Sequence, residues 1–137
     1  MSRRILQIVN LLLALMTAWL AGMSLVFGVD SPIYGQAEIP DIAALDSNLR
    51  FMGGLGLGLA LALVWITPRI ELHTTVFRLV WMCALLGGIG RLYSVQISGL
   101  PPIPMLVFAM IEVPGVPALI YWQSRVSRRY GTVEESI

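Results

Sequence analysis

A chain of 137 residues with 57% apolar and only 12% charged side chains, and a mean hydropathy of +0.80, cannot cover itself with a water-soluble surface. Its formal charge of +1 supplies no basic face able to neutralise several phosphates, which argues against nucleic acid as a partner. The single cysteine, Cys83, rules out an intramolecular disulfide; no metal-ligand spacing occurs, and no metal or cofactor is expected.

Four apolar runs remain, each near the roughly 20 residues a helix needs to cross a bilayer core. They predict an all-α protein, a transmembrane four-helix bundle forming a single membrane domain over 1–137. The first run, 5–27, follows Arg3 and Arg4. Ser2-Arg3-Arg4 has a faint likeness to a twin-arginine export signal, but a run this long exceeds the roughly 7–15 residues of a signal h-region, so an uncleaved anchor is expected. Gln7 and Asn10 should hydrogen-bond a neighbouring helix. Ala14, Ala18 and Gly22 repeat every four residues and predict a close-packing stripe.

An outer loop, 28–48, carries Asp30, Glu38, Asp41 and Asp46 and no basic residue. Ser31-Pro32, Gly35 and Pro40 predict irregular structure, and 41–45 a short interfacial turn, with Asp46 or Ser47 capping the next helix. The second run, 49–67, has a stripe of Gly54, Gly58 and Ala62, and Pro68 ends it. The glycines of 53–58 lie inside a span rather than between a strand and a helix, which sets aside dinucleotide binding. His73, beside Glu71 and Arg69 in a short turn, reads as a surface residue.

The third run, 76–98, contains Cys83 as a small packing residue and the small residues Ala84, Gly87, Gly88 and Gly90. After Pro101 and Pro102 comes the fourth run, 103–123, and then a cytoplasmic tail, 124–137. Arg3, Arg4, Arg69, Arg78, Arg125, Arg128 and Arg129 all fall on one side of this arrangement, which predicts a multi-pass protein of a bacterial inner membrane with both termini cytoplasmic. Trp65, Trp81, Trp122 and Tyr121 near the same ends are expected as headgroup anchors.

Two charges lie well inside spans, Arg91 and Glu112. Even on a lenient scale each costs about 2.5–3.5 kcal/mol, so each should turn inward and find a mate. They lie roughly 10 Å and 13 Å below the outer helix ends, which brings them level on antiparallel neighbours. Arg50, Asn48, Tyr93 and Gln96 are candidates for the same buried polar cluster. Pro114 and Pro117 each remove a backbone donor and should kink the fourth helix beside Glu112. The cluster is either a sealed pair that sets helix register or an outward-facing ligand site.

The motifs Asn48-Leu49-Arg50-Phe51-Met52-Gly53-Gly54, Gly87-Gly88-Ile89-Gly90-Arg91-Leu92-Tyr93-Ser94 and Gly99-Leu100-Pro101, together with Glu112, resemble a family of small four-helix bacterial membrane proteins catalogued as a domain of unknown function, loosely similar to DoxX-like proteins. The resemblance covers most of the chain. It implies an integral inner-membrane protein without an established activity and strengthens Arg50, Arg91 and Glu112 as candidates.

Three functions fit: a non-enzymatic module binding a small amphipathic ligand or lipid at Arg91 and Glu112; an accessory or structural subunit, as a homo-oligomer or in a larger membrane complex; or a small proton-coupled transporter using Glu112. An enzyme is not expected, because no nucleophile, base and orienting group occur together, and Ser94 near Arg91 does not make a catalytic set.

Overall fold

The computed structural model describes residues 2–35, 40–101 and 103–130, with the side chain of Pro104 left out. Four helices carry the chain: α1 (Arg3–Phe27), α2 (Ala43–Ile66), α3 (Thr74–Ser98) and α4 (Ile103–Tyr130). Short 3-10 turns lie at Gly28–Asp30, Pro32–Tyr34 and Thr67–Arg69, and no strand occurs among the described residues. Each helix is roughly 36–42 Å long, enough to exceed a bilayer core of about 30 Å. All four are also apolar enough to cross one. Glu38, Pro102, Glu134 and Glu135 lie outside the described residues.

Two helix boundaries differ from expectation. α2 begins at Ala43, so the interfacial turn and the membrane helix are one continuous element. Asp46 therefore stands in the first turn of α2 rather than capping it, and it reaches across to accept the Val29 backbone N–H at 3.1 Å. α4 runs on to Tyr130, past the apolar stretch, because Arg125, Arg128 and Arg129 continue the helix at no steric cost. It also runs through Pro114 and Pro117 as one helix.

By its contacts the chain forms two compact units. One, Val9–Trp65, contains most of α1 and α2. Its centre is a tight approach of two backbones: a Cβ on Gly53 would lie 2.5 Å from the Leu25 nitrogen and 2.7 Å from the Ala21 carbonyl oxygen. Gly56 faces the Ala21 methyl in the same way. Ala14, Ala60 and Leu63 are buried along this seam, and the buried Asn10 donates from Nδ2 to the Leu63 carbonyl at 3.1 Å. Ser24 donates to the Leu49 carbonyl at 3.2 Å at the opposite end.

The seam is one position round from the expected stripe. Gly53, Gly56 and Ala60 make the contact on α2, whereas Gly54 is exposed and Gly22 and Gly58 have nothing within 4 Å of a Cβ position. The run 53–58 offers two overlapping small faces, and the polar groups choose between them: Asp46, Arg50 and Gly53 share one face at spacings of four and three residues.

The other unit, Met1–Ile8 with Ile66–Ile137, holds the first turns of α1, the 67–73 connection, α3 and α4. Phe77, Val80, Trp81 and Gly88 are buried on α3, and Ala109, Val116, Gln123 and Val126 on α4, at spacings that trace one stripe per helix. Trp81 is therefore not a headgroup anchor. It packs inward, its ring 6.1 Å from that of Phe77. Cys83, expected as a packing residue, is exposed on α3.

Candidate functional site

α3 and α4 bring Arg91 and Glu112 together, with Arg91 Nε 3.5 Å from Glu112 Oε2. Gly88, one turn before Arg91, makes room for the carboxylate: a Cβ there would stand 3.0 Å from Glu112 Cβ and 3.2 Å from Oε2. The pair is only half closed. The Arg91 side chain keeps 43% of its surface exposed and Glu112 26%, while the Oε2 atom itself is buried and accepts no hydrogen bond among the described residues. A guanidinium has five donors, so a single long contact leaves most of them directed elsewhere. Pro114 and Pro117 supply no backbone N–H, which removes the helical donors of the Met110 and Val113 carbonyls on either side of Glu112.

The remaining candidates stand apart from this pair in their bonding. Tyr93 and Gln96 are exposed on α3, and Tyr93, two residues beyond Arg91, projects from a different side of the helix. Asn48 is exposed near the start of α2. Arg50 is committed within the Val9–Trp65 unit: Nε donates to Asp46 Oδ2 at 2.7 Å, and Nη1 donates to the carbonyls of Leu25 at 3.2 Å and Val26 at 2.6 Å. It thus satisfies the last carbonyls of α1, where a cation is also favoured by the helix dipole.

Sequence reasoning passed over a second polar cluster, at the arginine-rich end of the α3–α4 unit. Glu71, read as part of a surface turn, is 3% exposed and pairs with Arg3 at 2.8 Å. Gln123, fully buried, donates to the Ile70 carbonyl at 3.0 Å and to Thr74 Oγ1 at 2.9 Å. Thr74 donates to Ser127 Oγ at 3.1 Å, and Ser127 to the Glu71 carbonyl at 2.8 Å. Gln7 donates to the Thr67 and Pro68 carbonyls. These bonds engage carbonyls of the 67–73 turn, whose own backbone adds a bond from the Leu72 N–H to the Arg69 carbonyl at 3.0 Å. Glu71 Oε2, Gln123 Oε1 and Arg3 Nε are buried with no hydrogen-bond partner among the described residues. The available signal was Gln123, an amide at the end of an otherwise apolar run.

Four long apolar helices, with Arg91 and Glu112 paired well inside two of them, define a multi-pass α-helical membrane protein. Residues 5–123 match the family described as a domain of unknown function, DUF4345, and the chain belongs to that family. The match does not bear on the looser likeness to DoxX-like proteins. No curated protein and no solved structure matches the chain.

Proposed function

We propose that the chain is a non-enzymatic module of a bacterial inner membrane, with both termini cytoplasmic, that holds the polar head of a small amphipathic ligand or lipid against Arg91. The half-open pair carries this reading. A charge pair that served only to fix helix register would be expected to close, because an exposed guanidinium in hydrocarbon is expensive. Arg91 instead keeps donors outward while Glu112 offsets part of its charge. In this reading Glu112 positions the guanidinium, Arg91 receives an oxygen-rich head, and the apolar faces of α3 and α4 take the tail. The seven arginines at the opposite helix ends support an outer-half position for the pair in this reading.

The test is the retention of native amphiphiles after mild detergent extraction, read by native mass spectrometry. Wild type should carry a bound species that Arg91→Ala loses and Arg91→Lys partly keeps. Equal retention in wild type and Arg91→Ala would overturn the assignment.

A second reading, an accessory subunit, is favoured by the surface of the helices. Only 11–28% of the most apolar stretch of each helix is buried inside the chain, and Gly58, Gly87 and Gly90 have open space beside them. Such small-residue surfaces allow another helix to approach closely. Cross-linking in native membranes separates the readings, since a subunit should be recovered in a defined larger complex and a ligand-binding module alone.

A further inference from the structure

The α4 helix ends in a pocket lined by Tyr121, Arg125, Arg128 and Arg129, which follow one another at spacings of four, three and one residues and so share a face. Tyr121 orients one of the guanidiniums: Arg125 Nε donates to the Tyr121 hydroxyl at 3.0 Å, and its carbon lies 5.1 Å over the Tyr121 ring. Arg129 lies 5.8 Å over the ring of Tyr130. Among the described residues none of these three arginines forms an ion pair, in contrast to Arg3, Arg50 and Arg91. All three are exposed.

The geometry points to a binding site for the phosphate-bearing headgroup of an anionic phospholipid on this face of α4, with Tyr121 at its apolar edge. Charge complementarity selects the occupant. Three guanidiniums with no carboxylate among the described residues to neutralise them stand where the apolar part of a membrane helix gives way to its polar end, the depth at which headgroup phosphates lie. Planar guanidinium forks match phosphate oxygens in pairs, which a point charge cannot do. The Tyr121 ring fixes Arg125 in advance, so less side-chain freedom is lost on binding. The favourable interaction of arginines with a helix C-terminus explains their sequence position but not their convergence on one pocket.

The experiment uses the full chain in a neutral detergent, with unfolding followed by tryptophan fluorescence while lipid is titrated. Phosphatidylglycerol should raise the melting temperature saturably, and phosphatidylcholine or inorganic phosphate should not. Arg125→Gln, Arg128→Gln and Arg129→Gln combined should raise the half-saturating phosphatidylglycerol concentration at least tenfold, and the single variant Arg128→Gln should raise it less. The three arginine-to-lysine replacements together should recover part of the loss.

An equal response to phosphatidylcholine, or an unchanged titration in the triple glutamine variant, overturns the site. If inorganic phosphate stabilises as well as the lipid does, the pocket is a free-anion site and the lipid assignment fails. The competing occupant is the chain's own acidic tail. If wild type shows no saturable phosphatidylglycerol response and Glu134→Gln with Glu135→Gln both lowers the melting temperature and uncovers one, the tail fills the pocket and the proposal fails. Should the triple variant not fold, lipid retention by Arg128→Gln in native mass spectrometry decides.

Discussion

Gly88 and Glu112 meet where α3 passes the carboxylate of α4, in a space that would hold a methyl group only tightly: a Cβ on Gly88 would sit 3.0 Å from Glu112 Cβ and 3.2 Å from Val113 Cγ2. Gly88 is thus what allows Arg91 and Glu112 to pair. Alanine there is a contest between this crowding and the roughly 1 kcal/mol it gains in helix propensity. Leucine has no such compensation. Gly88→Leu should destabilise the protein by about 1–3 kcal/mol, the usual cost of overfilling a packed contact, read as a lower melting temperature in detergent. A stability equal to wild type would mean that α3 and α4 do not pack at this point.

The pair itself predicts a thermodynamic cycle. Glu112→Gln leaves the Arg91 guanidinium without its counter-charge, and Arg91→Ala leaves a carboxylate among apolar groups, so each single change should lower stability by about 1 kcal/mol or more. The double variant should be more stable than the sum of the two losses implies, because neither charge is then stranded. Strict additivity across the cycle would deny any coupling between the two side chains.

Gly53 and Gly58 make an internal control on one helix. Behind Gly53 stands the backbone of α1, which cannot give way, so Gly53→Ala should cost about 1–3 kcal/mol. Gly58 has nothing within 4 Å, and Gly58→Ala should be neutral or stabilising by up to about 1 kcal/mol through helix propensity. The measurement is the difference in melting temperature between the two variants. Reversal of that order would place the α1–α2 seam on the other face.

The helices were legible in the sequence because bilayer thickness dictates run length, and an apolar run bounded by Pro68 or by 99–102 has few other uses. The pairing of Arg91 with Glu112 was legible for a related reason, since equal depth on antiparallel neighbours is simple arithmetic. The choice of seam was not. Two small-residue stripes in 53–58 satisfy the same periodicity, and what separates them is the position of Asp46, which joins α2 only because the helix starts at Ala43. The same early start gives Arg50 a partner four residues back, so its donors go to Asp46 and to the end of α1. Glu71 was illegible because a carboxylate in a short turn ordinarily faces water; its burial follows from contacts with Arg3 and α4 that are distant in sequence.

The clasp at the end of α1 gives a further prediction. Gly28 has φ +56, and a Cβ there would collide with Asp46 Oδ1. Gly28→Ala therefore carries both the left-handed backbone cost, about 1–2 kcal/mol, and a clash with a carboxylate already engaged to Val29 and Arg50. It should lower the melting temperature more than Gly35→Ala, where φ is also positive but nothing stands within 4 Å. Equal losses at the two glycines would show that the clasp does not hold the turn in place.

Glu71 offers the most direct test of the second polar cluster. Its Oε1 meets Arg3 at 2.8 Å, while its backbone carbonyl accepts from Ser127, so the residue ties the start of α1 and the end of α4 to one turn. Glu71→Ala removes the side-chain tie and leaves the carbonyl bond in place, leaving a partly buried guanidinium with, among the described residues, the Pro68 carbonyl to accept from it. Because Arg3 is 37% exposed, water recovers some of that loss, and the expected destabilisation is about 1–3 kcal/mol. Glu71→Gln can still accept a hydrogen bond from Arg3 and should fall between wild type and Glu71→Ala. High salt should narrow the gap between wild type and Glu71→Gln, since only the ionic part of the contact is screened. A melting temperature for Glu71→Ala indistinguishable from wild type would mean that Arg3 and Glu71 are separately solvated and that the buried network begins at Gln123.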